Sequence, residues 1–165
     1  MDDGPAPSAV IRVSGRADLD ACVALWVAAC ADRDGRAIDG VADRARPKFE
    51  DRVLWLTAWQ GARLDGFLLA TEPGSGMPTD PDGAVVVALL AVAPGHQTRG
   101  LGRALLRSAT DSLAGLGYEH AVLHALEENV VATHLYRSEG WEALGPTRTH
   151  SLLGRPVRTF TRSLR

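Results

Sequence analysis

The sequence has 165 residues, of which 45% are hydrophobic and 23% charged, enough for one buried core and cramped for two. A net charge of -2 and a pI near 6.2 supply no broad attraction for phosphate backbones or anionic bilayers, so general nucleic-acid and membrane binding are excluded as expectations. The longest apolar run, Ala84 to Ala93, has ten residues, where a bilayer-spanning helix needs about 20. The opening MDDGPAPSAV has neither a basic nor an apolar signal region, and a cytoplasmic protein is the expectation.

A short strand is expected at Ala9 to Val13, then a helix from Asp18, its N-cap, to Asp32. Cys22 and Cys30 on that helix would lie about 12 Å apart and stay unbridged. Asp34 to Arg52 mixes acids with bases and suggests a short helix interrupted near Pro47. Val53 to Trp59 and Leu64 to Thr71 read as a hairpin turning at Gln60-Gly61-Ala62-Arg63. Pro73 to Gly83 has proline or glycine at six of eleven positions, a long connection between strands.

AVVVALLAVAP, Ala84 to Pro94, is apolar on both parities and suits a central strand covered on both faces. A helix from Gly100 to Leu116 carries Leu101, Leu105, Ala109, Leu113 and Leu116 on one stripe. A strand at His120 to Leu126, a helix at Asn129 to Glu139 ended by Gly140, a short strand near Trp141 to Leu144 and a last strand at Val157 to Arg162 complete a mixed α/β pattern.

The chemistry concentrates where the central strand meets the helix, at Pro94-Gly95-His96-Gln97-Thr98-Arg99-Gly100-Leu101-Gly102-Arg103. Glycines admit a ligand close to the backbone, and unpaired N–H groups at a helix start favour an anion. Arg99 and Arg103 add charge that matches a pyrophosphate better than a carboxylate. Leu101 stands where a Walker loop needs lysine, and Leu105 stands where a dinucleotide fingerprint needs its third glycine.

Gln97-x-x-Gly100-x-Gly102 following Val92-x-Pro94 resembles the pyrophosphate-binding motif of the GNAT superfamily of acyl-CoA-dependent N-acetyltransferases, and Asn129-x-x-Ala132-x-x-Leu135-Tyr136 with Gly140-Trp141 resembles its second half. The resemblance implies one α/β domain over residues 1–165, with 1–8 a flexible lead-in, about seven mostly antiparallel strands, a central parallel pair and about four helices. It implies acetyl-CoA as acyl donor, held by Leu90, Ala91, Val92, Gln97, Thr98, Arg99, Gly100, Leu101, Gly102, Arg103, Asn129, Ala132 and Tyr136. Direct attack by a primary amine of a small molecule or peptide would follow, with main-chain N–H groups near Leu90 to Val92 holding the oxyanion and Tyr136 as general acid to the departing thiolate.

Asn129, Ala132 and Tyr136 also share a helix face on spacing alone, and the same residues would serve as an N-cap and a packed aromatic. The central strand carries no titratable side chain, so Glu72, His124, Glu127, Glu128 or water are left as routes for removing the amine proton. That gap motivates an alternative, a non-catalytic acyl-CoA sensor or partner domain, and a nucleotide-binding domain using the same anion site stands third. His120 and His124 are too far apart along a strand to share a metal, and no metal is expected. Trp55 and Trp59 are candidates for a substrate cleft. The resemblance leaves a homodimer open.

Overall fold

The computed structural model describes residues 9–95 and 100–165. Strand β1 (Val10–Val13) leads through a 3-10 turn into helix α1 (Leu19–Asp34), and helix α2 (Val41–Ala45) runs on as a 3-10 turn through Pro47 to Asp51. Strands β2 (Arg52–Gln60), β3 (Arg63–Thr71) and β4 (Val85–Val92) precede helix α3 (Leu101–Gly115). Then come β5 (His120–Leu126), helix α4 (Val130–Ser138), β6 (Glu142–Thr149) and β7 (Pro156–Ser163). The seven strands form one sheet in the order β1-β2-β3-β4-β5-β7-β6. Every neighbouring pair is antiparallel except β4 with β5, the architecture the resemblance implied.

Two apolar layers sandwich the sheet. Leu105, Leu106, Ala109 and Leu113 of α3 pack with Leu68, Val85, Val87, Leu123, Trp141 and Phe160 on one face. Cys22 and Val23 of α1 join Ala45, Phe49, Trp55, Phe67, Leu69, Leu89 and Ala91 on the other. Burying a residue such as Leu105 or Phe49 completely stabilises the fold by about 1.5–3 kcal/mol. Gly66 of β3 lets α3 lie close, because a Cβ there would meet the Ala91 carbonyl and a Leu105 methyl at 3.0 Å each.

One local expectation holds in position but not in bonding, and another changes. Asp18 stands at the N-cap position of α1 as expected, but its carboxylate accepts from the Ser14 hydroxyl at 2.7 Å and makes no cap hydrogen bond to the helix. The strand expected to stop at Leu144 runs on to Thr149. Gly145-Pro146 read as a break, yet β6 is an edge strand whose pairing with β7 shifts register between Leu144 and Arg148, and proline is tolerated at such an irregular edge. Trp55 belongs to the core, its ring edge-on to Phe49 at 4.8 Å. Trp59 lies under the Arg12 guanidinium at 4.9 Å and donates its indole N–H to Thr57 Oγ1.

Candidate active site

The opening that could admit a ligand is made by two strands that part. β4 and β5 pair only from Val85 with Ala121 to Val87 with Leu123. β4 then continues on β3 to Val92, and β5 continues on β7 to Leu126. The register of β3 with β4 shifts between Leu69–Leu89 and Ala70–Val87, which leaves Ala88 as an extra residue. Such a bulge bends its strand, and here it falls where β4 leaves β5. The parting therefore begins at Ala88, two residues before the Leu90-Ala91-Val92 segment singled out from sequence, and that segment lies along its β4 side with no β5 partner in the strand pairing.

Helix α3 starts at the end of β4. Gly100 takes φ +76° and its carbonyl accepts from Ala104 N at 3.0 Å; among the described residues, a Cβ on Gly100 would meet nothing within 4 Å. Gly102 does a different job. It faces Leu135 of α4 and Val92 of β4, which a Cβ would meet in ordinary contact at 3.5 and 3.7 Å. Gln97, Thr98 and Arg99 lie outside the described residues. Leu101 packs on the α3 core. Arg103 is engaged by Ser138 Oγ at 3.0 Å and by Glu139, which also accepts from Arg107 at 2.8 and 3.0 Å. The two guanidinium groups hold the Glu139 carboxyl below its ordinary value, Arg107 most strongly.

On α4, Asn129 is the N-cap, its side-chain oxygen accepting from Ala132 N at 3.3 Å. Tyr136 is half-buried, with its ring centroid 5.9 Å from Phe160 and 6.4 Å from Trp141. Burial pushes its phenol up to about 12, so it stays protonated throughout the neutral range. No hydrogen bond from another described side chain contributes to that shift.

The four side chains considered as bases fare differently. Glu127 is paired with Arg158 at 2.8 Å and Glu128 with Arg155. Glu72 is exposed just beyond β3. His124 is the first β5 residue past the last parallel pair and stands at the parting itself. Its Nδ1 faces Thr159 Oγ1 at 2.9 Å and Arg148 Nη2 at 3.3 Å, while Nε2 meets the Asp80 carboxylate at 3.0 and 3.1 Å. A guanidinium can only donate, so Nδ1 accepts and Nε2 carries the hydrogen given to Asp80. Burial lowers the imidazole below its ordinary value against the pull of Asp80, and Arg148 and Lys48 lower it further. The Asp80 link was invisible in sequence, since it joins the Pro/Gly-rich connection to a strand 44 residues away.

A mixed sheet parting at its one parallel pair, with a glycine-started helix following the central strand, is the architecture that the resemblance to the GNAT superfamily implied. Residues 24–141 match the acetyltransferase (GNAT) family model, and the chain belongs to the GNAT acetyltransferase family. It is similar to the mycothiol acetyltransferases of Beutenbergia cavernae, 38% identical over 66% of this chain and 33% of that protein, and of Clavibacter michiganensis subsp. michiganensis, 33% identical over 83% and 44%. The chain thus spans less than half the length of these curated relatives. Among solved structures, a putative acetyltransferase from Salmonella typhimurium with its cofactor acetyl-CoA shares the fold at a TM-score of 0.75 and 20% identity, over 96% of this chain and 95% of that one.

Proposed function

We propose that this chain is an acetyl-CoA-dependent N-acetyltransferase acting on a primary amine of a small molecule or peptide. The observation that carries the reading is the parting of β4 from β5 at Ala88, on the strand that leads to the glycine-started helix α3. Acetyl-CoA would supply the activated acetyl group. Its pyrophosphate suits the α3 N-terminus, where unpaired N–H groups and the helix dipole favour an anion, with Gln97, Thr98, Arg99, Gly100, Leu101 and Gly102 contributing. Arg103 would have to share its charge with Glu139 to take part.

Main-chain N–H groups in the β4 segment Leu90 to Val92 that face away from β3 would be the donors for a developing oxyanion, on the side where β4 has parted from β5. Preorganised donors of this kind are worth about 2.7–4 kcal/mol each in acyl transfer. Tyr136 would present a protonated Oη to the departing sulfur. With its phenol raised to about 12, well above an ordinary thiol near 8.5, it would stabilise the departing thiolate by donating a hydrogen bond, full transfer of the proton being uphill at that value. Asn129 and Ala132 continue the same helix face toward the pantetheine arm.

A second reading, a domain that binds acyl-CoA without transferring the acyl group, is favoured by the engagement of Glu127, Glu128 and both ring nitrogens of His124. One assay separates the two. Free thiol is followed while purified protein and acetyl-CoA are mixed with a panel of primary amines. Amine-dependent thiol release supports the transferase, and slow release that no amine accelerates supports the binding domain.

A further inference from the structure

The charges on the α1/α2 side of the gap are unevenly paired. Arg33 and Arg155 share Asp34 at 2.9 and 2.8 Å, Arg155 also meets Glu128, and Arg158 has Glu127. Arg44 of α2, Lys48 of the following turn and Arg148 of β6 have no carboxylate partner among the described residues. Arg44 donates to the Ser151 hydroxyl at 2.6 Å. Arg148 donates to Thr79 Oγ1 at 3.0 Å and to the His124–Thr159 pair. Hydroxyls and an imidazole lone pair position a guanidinium without neutralising it, and a group with five N–H donors keeps some for a ligand.

The three cations come from separate elements. Arg148 lies 3.3 Å from His124, and Arg44 holds Ser151, the neighbour of His150 at the β6–β7 turn; the charge of Lys48 is felt at both histidines, and that of Arg33 and Arg155 at His150 as well. The carboxylate in contact with His124, Asp80, also accepts from Met77 N at 2.8 Å. Three cations with this one carboxylate leave positive charge in excess, which opposes the compact state, and a bound anion would offset it. Because Arg148 touches His124, the residue at the parting, such an anion would lie next to the place where an acceptor nitrogen must arrive.

We propose that the acceptor is an amine that also carries an anionic oxygen group, a carboxylate or a phosphate, seated by Arg148, Lys48 and Arg44 beside the gap between β4 and β5. This rests on the acetyltransferase reading above. Guanidinium and ammonium groups pair with either anion, so the source is left to experiment.

Thiol release from acetyl-CoA is measured with matched amines: α-amino acids against their primary amides, and phosphoethanolamine against ethanolamine. In pairs that turn over, the anionic member should have a kcat/KM about ten-fold or more above its neutral partner, and the pair with the larger ratio identifies carboxylate or phosphate. In Arg148→Gln and in Lys48→Gln the ratio should fall toward one, and Arg148→Lys should retain much of it. Taking the ratio within each variant cancels any loss of folded protein. A wild-type ratio near one, or a ratio that survives both glutamine substitutions, overturns the proposal while leaving acetyl transfer standing. If no amine of the panel releases thiol, the transferase reading fails and this inference fails with it.

Discussion

The two faces of the sheet are built by different means. On the α3/α4 face, the residues proposed for the acetyl-CoA site lie close in sequence to local signals: Gly100 and Gly102 at the start of α3, and the Asn129 cap of the helix that carries Tyr136. On the α1/α2 face, the surroundings of the gap depend on links between distant segments. Asp80 reaches His124 across 44 residues, Arg44 reaches Ser151 across 107, and Arg155 reaches Asp34 across 121. The proposed donor side can therefore be read from local spacing, whereas the proposed acceptor side exists only once the chain has folded.

The sharpest way to break this contrast is at Gly100. Gly100→Glu places a side chain on a residue at φ +76° and a negative charge at the α3 start, and should lower acetyl-CoA affinity by about 100-fold or more while the fold survives, because a non-glycine residue in that region costs only about 1–2 kcal/mol. Titration calorimetry reads the loss; normal affinity would remove the loop from the donor site. Tyr136→Phe should slow turnover by about 100-fold with acetyl-CoA affinity nearly unchanged, and unchanged turnover would take Tyr136 out of the acid role.

Truncation in the two cores compares the faces directly. Leu105→Ala should cost about 2–5 kcal/mol and Phe49→Ala about 3–5 kcal/mol in urea unfolding, so both layers hold the sheet. The smallest effect expected is a pH step. His124 and His150 have folded values below the ordinary 6.5, in both cases chiefly through burial, so the unfolded chain binds more protons there. Stability from these groups is complete above about pH 6.5 and is lost as pH falls toward their folded values. Glu139 and Asp34, lowered by their arginine partners, lose theirs only further down, below about pH 4.5 and 3.8. Melting temperature should thus decline in two stages, and His124→Gln should shrink the first.

Seven strands and the α3 stripe were legible because apolar periodicity and glycine punctuation are local, whereas the parallel pair came only with the family resemblance. The bounds of β6 were not, since Gly145-Pro146 looks like a terminator and only pairing with β7 carries the strand through it. The role of Asn129 as cap was one of two local readings, and the bond from Ala132 N is present. Glu127 and Glu128 read as candidate bases; their arginine partners lie 31 and 27 residues away. Arg103 looked free for a phosphate, and Glu139 holds it from 36 residues on.

The most direct measurement is a thermal melt of the purified protein with graded acetyl-CoA, desulfo-CoA, ATP and NAD. A ligand at 100 times its dissociation constant that binds only the native state adds about 2.7 kcal/mol, a readily seen shift. A rise in melting temperature with the two CoA compounds alone is the predicted result. A rise with ATP or NAD and none with either CoA compound would contradict the acyl-CoA site at the parting of β4 and β5.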